Sequence, residues 1–467
     1  MKVIIGGAGI TGLAVGCYLQ QKGIDFKIYE REYQVPVVPV WRSTGIQLAS
    51  NCHFVFKELG IYDQIKEASI ERKNLKVYSE QNYLNNLSVT NDHDEGTFFI
   101  RRSELISILA SLIPSQKISR ATSILHYHDF DIRGYDDHEK PTIEDYGTHV
   151  EVETTRLKQN PFDWATILNA ENEIQNIEQQ FESGLLTREE KYNKLKVATK
   201  HASKISRKVR GWEEWEPVCR HRADLYIDCT AYNAVYESLA VWGVSDYSDE
   251  MLKSFNNFMY SGMHFVTYPL TKNKTAFTLV INIGDNETKS RFFYRNLSGL
   301  EGGSIKQQDR AREFINKLLK DKFKDLINNL RYCSYGAIKT TAHNMWYEYP
   351  DELKEYRKGN IIHLGDSAHA ITPHLAQGAA QGLIDAAYLN RGFSANLSPE
   401  EHLKFRNSII NGDFFAPRDS IINKIRSQSN LNKNIYQLGM PFKLFRNIYL
   451  KLYKPNYGWL FNSKYEA

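Results

Sequence analysis

The first thirty residues constrain the chain more than any other stretch. Lys2 to Ile5 is a short apolar run, and Gly7-Ala8-Gly9-Ile10-Thr11-Gly12 follows it directly. Helical spacing then runs to about Lys22, Gly23 marks the stop, and Asp25 to Glu30 reads as a second strand. In such a strand–turn–helix–strand unit, Gly7 permits the tight turn, Gly9 lets the backbone approach a pyrophosphate, and Gly12 lets helix and strand pack closely. The helix N-terminus, at Ile10 and Thr11, supplies unpaired N–H groups and a positive dipole end. Glu30 ends the second strand, where a carboxylate accepts hydrogen bonds from both ribose hydroxyls and so selects an adenosine with a free 2′-OH. Arg31, next in the chain, joins these residues as a cofactor-binding candidate. The motif does not by itself separate FAD from NAD.

With 467 residues, the chain has room for two or three domains at about 150 residues each. A hydrophobic fraction of 42% and a charged fraction of 24% exclude collagen-like and wholly disordered readings. The net charge of +4 is too small over this length to indicate a nucleic-acid partner. Five scattered cysteines without a CxxC pair encode neither a disulfide framework nor a zinc knuckle, and fit a reduced, cytoplasmic setting. The N-terminal glycines sit at nucleotide-loop spacing with no cleavage-site pattern after them, so the opening is read as fold and not as a signal peptide. No apolar run reaches the ~18 residues needed to span a membrane.

Further along, residues 46 to 59 show helical spacing, and 97 to 113 read as a strand running into a helix. Residues 156 to 215 read as a helical insertion: a Ser183-Gly184 turn precedes a Thr187/Glu190 capping box that opens its second arm. The first arm, 170 to 186, carries four acids and no base, whereas 187 to 210 carry nine bases and two acids. The insertion is either a solvated hairpin or a lid or partner-binding arm. Strand patterns return at 223 to 230 and 263 to 283, a helix is expected at 309 to 330, and 360 to 393 read as strand, turn and helix. Near the C-terminus, Phe442, Phe445, Ile448, Tyr449, Leu452 and Tyr453 share one helical face. Such a helix either docks across the domain junction or rests on an anionic membrane.

The stretch from Gly359 to Leu389 decides the cofactor. A buried strand ends at Gly365-Asp366, a loop holds Pro373, and a glycine-punctuated helix begins at Gln377-Gly378-Ala379. Asp366 at a strand end can bind a polyol, while the N–H groups of Gln377, Gly378 and Ala379 can face an anionic ring locus; both suit a reduced flavin. GDSAHAITPHLAQGAAQGLIDA closely resembles the second FAD motif of the class A flavoprotein monooxygenases, the para-hydroxybenzoate and salicylate hydroxylase family. The opening GGAGITGLAVGCYLQQKG, Gly45-Ile46-Gln47-Leu48 with Asn51, Arg102-Ser103-Glu104-Leu105, and His264 to Leu270 resemble further motifs of that family, in its order.

This resemblance implies FAD reduced by NAD(P)H and reaction with O2 as cosubstrate. A flavin C4a-hydroperoxide would then hydroxylate an aromatic or electron-rich small molecule. It places Arg102 near the flavin or pyrophosphate, Asp366 on the ribityl and phosphate region, and Pro373 beside the isoalloxazine. It also puts His264, Tyr268 and Tyr260 on the sheet that walls the substrate cavity. Catalytic candidates are therefore Pro373, His264 and Tyr268, with His264 alternatively a satisfied structural histidine, and Tyr260, Tyr268 and Tyr335 alternatively cavity or core aromatics. His363, His369 and His374 are read as part of the flavin region, and no metal is expected.

One stretch departs from the family. Thr230-Ala231 stands where a DG pair is usual and Glu237 where an arginine is usual, while Trp212 to Pro217 does not match the halogenase WxWxIP signature. Two other functions stay open on that account: a halogenase or other flavin oxidation using externally reduced flavin, and a non-catalytic flavin-binding protein. The expected architecture is α/β, with a Rossmann-like FAD-binding domain (1–80, 97–155, 216–245 and 335–395) and an antiparallel-sheet substrate domain (81–96 and 246–334). The 156–215 insertion and a C-terminal helical region (396–467) complete it. The oligomeric state, monomer or dimer, is open.

Overall fold

The structure is a computed structural model. It describes residues 1–32, 43–129, 149–156, 216–230, 234–283, 305–342, 360–393, 399–410, 413–453 and 455–462, with scattered positions between 173 and 198 and between 292 and 297. Lys2–Gly6 is the middle strand of a five-stranded parallel sheet in the order Ile361–His363, Leu225–Asp228, Lys2–Gly6, Asp25–Tyr29, Ile118–Ser119. Val3, Ile4 and Ile5 are fully buried, as a parallel strand covered on both faces requires. Val3 and Ile5 face the helices Ile10–Gln21, Arg102–Ser111 and Gly378–Gly392. Ile4 points the other way, onto Val150, Val152 and Tyr226 beneath a three-stranded antiparallel layer.

A second, seven-stranded sheet runs in the order Leu330–Ala342, Ala234–Ser245, Lys274–Asn282, Met263–Thr271, Phe255–Tyr260, Asn74–Ser79, Asn82–Ser88. Its strands alternate faces. Phe258, Phe265 and Phe277 pack on Ile315, Phe323 and Leu326 from the helical layer, while Tyr268, Ala276 and Phe255 pack on Phe99 toward the first domain.

Three expectations change. Residues 46 to 59 are not one helix: Gly45–Leu48 is a strand paired antiparallel with Thr97–Arg101, and helix begins only at His53. Pairing with a distant strand outweighs the local helical spacing. The helix expected over 309 to 330 is interrupted: Ile305–Leu318 and Lys324–Asn328 are separated at Lys320 and Asp321, both in the left-handed region at φ +55° and +56°. The third change is to domain boundaries. Ala234–Ser245 pairs along its length with Lys274–Asn282 and with Leu330–Ala342, and Asn74–Ser79 pairs with Phe255–Tyr260. Ladder hydrogen bonds thus carry 74–79, 234–245 and 335–342 into the seven-stranded sheet, which Asn74–Ser79 joins parallel to Phe255–Tyr260, away from the FAD-binding part expected to hold them.

Much of the 156–215 insertion, including Trp212 to Trp215, lies outside the described residues, as do Ala231 and the side chains of Glu237 and Tyr335. Within the insertion, Gly184 has φ +77°. The capping box forms, with the Thr187 N–H donating to Glu190 Oε2 at 2.8 Å and the Glu190 N–H donating to Thr187 Oγ1 at 3.3 Å. Lys191, buried, pairs with Asp246 at 2.9 Å and ties the insertion to the body of the protein.

Candidate cofactor and active site

At the end of the middle strand the chain turns on Gly7, at φ +88°, whose N–H donates to the Tyr29 carbonyl at 2.8 Å. Gly12 is required for space, because a Cβ there would lie 2.0 Å from the Gly7 oxygen. At Gly9 a Cβ would meet nothing within 4 Å, so that glycine faces open space, as a position left bare for a ligand would. Glu30 closes the loop: Oε2 accepts the Ala8 N–H at 2.7 Å and Oε1 the Glu32 N–H at 2.9 Å. The Arg31 side chain is exposed beside Glu32, at 3.7 Å, and does not join this group.

The second motif is locked onto the first through Thr11. A Cβ on Gly365, at φ +61°, would stand 2.6 Å from Thr11 Oγ1, and one on Gly382 would stand 2.2 Å from it. Ile10, at the N-terminus of the same helix, is buried in the adjoining core. Asp366 is exposed just past the strand Ile361–His363, with Gly378 beside it. Arg102 sits between the two motifs. Burial lowers its pKa, while the charges of Asp366 and Glu30 both act to hold its proton. Pro373 opens a short turn, Pro373–Leu375, that ends at Ala376 in the left-handed region, φ +53°. Gln377 follows as N-cap of Gly378–Gly392, with Ala379 half-buried in the first turn. Expected to act through its N–H, Gln377 also acts through its side chain, whose Oε1 accepts from Asn51 at 3.0 Å and from Gln381 at 2.6 Å.

Beneath this helix lies a buried polar network that the sequence reading did not find. Arg418, from the helix Ala416–Tyr436, donates from Nε to Asp385 Oδ1 at 3.1 Å and from Nη2 to the Gln381 carbonyl at 3.1 Å. Asp385 Oδ2 accepts the Gly365 N–H at 3.0 Å and meets His369 Nε2 at 2.6 Å. Asp385 and Arg418 are fully buried. The only local signal is the acid in Gly382-Leu383-Ile384-Asp385; nothing near Arg418 marks it.

His264 and His374 lie against one another as tilted rings, centroids 4.8 Å apart and planes at 43°, where the Pro373 loop meets the seven-stranded sheet. Burial is the main cause that pushes both rings down, His264 to about 3 and His374 to about 2, so both are neutral at ordinary pH. Gln437 Nε2 donates to His264 Nδ1 at 3.3 Å, which puts the His264 proton on Nε2. The Tyr268 hydroxyl donates to the Gly45 carbonyl at 2.9 Å and its ring stacks on Phe99. The Tyr268 hydroxyl thereby fastens its strand to Gly45–Leu48. Tyr260 is buried, its hydroxyl without a hydrogen-bond partner among the described residues. His363 meets Ser367 Oγ at 2.9 Å, and among the described residues no cluster is arranged to hold a metal ion.

These residues fit a flavin dinucleotide. Open space lies over Gly9. Gln377 Nε2, Ser50 Oγ, Asn51 Oδ1 and both ring nitrogens of His374 are buried without a hydrogen-bond partner among the described residues, and buried polar atoms of this kind call for one.

No family model matches the chain. It is similar to the FAD-dependent monooxygenase pytG of Aspergillus terreus, 38% identical over 81 residues, a match spanning 17% of this chain and 23% of that protein. It is similar over far more of its length to the aurachin C monooxygenase/isomerase of Stigmatella aurantiaca, 22% identical over 84% of this chain and 81% of that one. Among solved structures, a salicylate hydroxylase substrate complex has the same fold, with TM-score 0.60 and 14% identity over 99% of this chain and 95% of that one. In its fold, and in the relatives it matches over most of its length, the chain is similar to FAD-dependent monooxygenases.

Proposed function

We propose that this chain is a monooxygenase that holds FAD and uses NAD(P)H and O2 to hydroxylate an aromatic or similarly electron-rich small molecule. The observation that carries this reading is the joining of two motifs about 360 positions apart: Thr11 is seated against Gly365 and Gly382, and Arg102 feels both Glu30 and Asp366. FAD bound there supplies the redox chemistry, accepting reducing equivalents from the nicotinamide and activating O2. The chain supplies grip, position and dryness. The loop from Gly7 to Gly12 would hold the pyrophosphate at a helix N-terminus, Glu30 the ribose, Asp366 the ribityl chain, and Arg102 the anionic region between them. The N–H groups at Gln377, Gly378 and Ala379 would face negative charge on the reduced ring.

His264 and Pro373 border the proposed reacting region. Neutral His264 offers one N–H donor from Nε2 to orient a substrate oxygen without adding a charge. The buried, aromatic setting of His264, His374 and Tyr436 keeps water from the reacting groups. The division of work follows the two sheets, the five-stranded parallel one for the cofactor and the seven-stranded, largely antiparallel one for the substrate.

A second reading rests on Thr230, whose hydroxyl folds back on Asp228 Oδ1 at 2.5 Å at the strand end where the family usually carries DG. It favours flavin reduced elsewhere, as in halogenation. The test is NAD(P)H oxidation by the purified protein across a panel of aromatic acids, phenols and quinolones. Oxidation accelerated by one of them, with hydroxylated product, is expected. A colourless protein that cannot be reconstituted with FAD refutes the proposal, and turnover only with added reduced flavin and halide supports the second reading.

A further inference from the structure

The helix Phe442–Leu452 is packed inside out. Its inward side chains are polar apart from Leu450, the one apolar residue of the helix that is buried, against Val77, Leu84 and Leu87. Arg446, buried, donates to the Tyr436 carbonyl at 3.1 Å and to Ser79 Oγ at 3.0 Å, and Asn447 Nδ2 donates to Ser79 Oγ at 2.9 Å. Asn85 donates to the Leu450 carbonyl at 2.6 Å, and Lys443 pairs with Glu80 at 2.5 Å. The helix is thus fastened by polar contacts to the edge strands Asn74–Ser79 and Asn82–Ser88 and the turn between them. Its apolar residues face away: Phe442, Phe445, Ile448, Tyr449 and Leu452 are 48% to 84% exposed, flanked by Met440 and Tyr453 at 68% and 51%. A surface helix of a globular protein has the reverse arrangement, and a contiguous exposed apolar face marks an interaction surface.

Charge identifies what covers it. The helix carries no acid, and of its three bases Lys451 is exposed while Arg446 and Lys443 are engaged inward; residues 420–467 hold eight basic side chains and one acidic one. A second copy on this face would set two acid-free basic helices against each other. An anionic lipid surface supplies the opposite charge and accepts the aromatic and aliphatic side chains together. We propose that this helix lies flat in the interface of an anionic bilayer, its apolar face at the acyl boundary and Lys451 among the headgroups. Eleven residues span about 16 Å at the helical rise, which suits lying along a membrane and is too short to cross one.

The test is flotation of the full chain with phosphatidylcholine vesicles containing roughly one third phosphatidylglycerol, compared with pure phosphatidylcholine. The wild type is expected to float with the anionic vesicles, and Phe445→Ser/Leu452→Ser to lose about tenfold or more of the bound fraction. Both replaced side chains are exposed, so circular dichroism and flavin absorbance without vesicles should match the wild type. These readouts separate failure of the membrane surface from failure of the flavin assignment. A wild type that stays at the bottom of the gradient, or a double variant that floats equally well, overturns the proposal. So does a wild-type dimer, seen by light scattering, that the double variant breaks without any vesicle binding: the face would then belong to a second copy.

Discussion

Arg418→Met isolates the contribution of the buried network to the second flavin motif. Methionine retains much of the apolar stem but removes the guanidinium that donates to Asp385 at 3.1 Å and to the Gln381 carbonyl at 3.1 Å. Asp385 keeps the Gly365 N–H at 3.0 Å and His369 at 2.6 Å, but a fully buried carboxylate loses its cation. Breaking one side of a buried ion pair costs about 3–5 kcal/mol, chiefly through the charge left behind. Because the Gly365 N–H and His369 still contact the stranded carboxylate, the lower end, about 3 kcal/mol, is expected, a factor of roughly 150 in the unfolding equilibrium. Equilibrium urea unfolding measures it. Asp385→Asn should cost a similar amount, and the double variant should lose at least about 1 kcal/mol less than the sum of the two. FAD retention should weaken in each single variant, since Asp385 holds the Gly365 N–H. Stability of Arg418→Met within about 0.5 kcal/mol of wild type, or strict additivity in the double variant, would refute this account.

Acid should destabilise the protein through its buried histidines. The folded rings of His53, His264 and His374 are pushed down to about 4, about 3 and about 2, chiefly by burial, whereas an unfolded chain protonates them near ~6.5. Below that pH the unfolded state binds more protons, so the stabilisation is fully present above ~6.5 and is lost as pH falls, about 2 kcal/mol per histidine by roughly pH 5. His374→Asn should flatten the pH dependence of urea unfolding by about one such increment, and an unchanged slope would count against a neutral His374. The two loop glycines should differ in kind. Gly12→Ala meets the Gly7 oxygen at 2.0 Å and should destabilise the fold by about 1–3 kcal/mol; Gly9→Ala meets nothing within 4 Å and should leave the apoprotein intact while weakening FAD. Comparable thermal denaturation of the two apoproteins would contradict that contrast. Asp366→Ala should release FAD on dialysis, and undiminished yellow colour would remove Asp366 from the cofactor site.

Much of the cofactor site was legible because its parts are local. A turn at φ +88°, a helix that must approach its strand, and an acid at the next strand end each demand a residue type at a fixed spacing, and Gly7, Gly12 and Glu30 satisfy them. The second motif was legible for the same reason. The Gln377 side chain was not, because its partner Asn51 is far away in the sequence. The Tyr268 hydroxyl's bond to Gly45 was not legible either, because a strand period tells which face a side chain takes and not which carbonyl its hydroxyl will find.

What the sequence determined alone is therefore the set of backbone conformations and amphipathic faces: a nucleotide-binding unit, a second glycine-punctuated helix start, and an apolar stripe on the Phe442–Leu452 helix. Tertiary structure alone decided which faces turn inward. It seated Thr11 against Gly365 and Gly382, buried Arg418 on Asp385, and drew the polar side of the last amphipathic helix onto Ser79 and Glu80, leaving its apolar side out. The reason is that spacing along the chain encodes short-range geometry, whereas burial and ion pairing depend on contacts between segments whose separation carries no periodic signal.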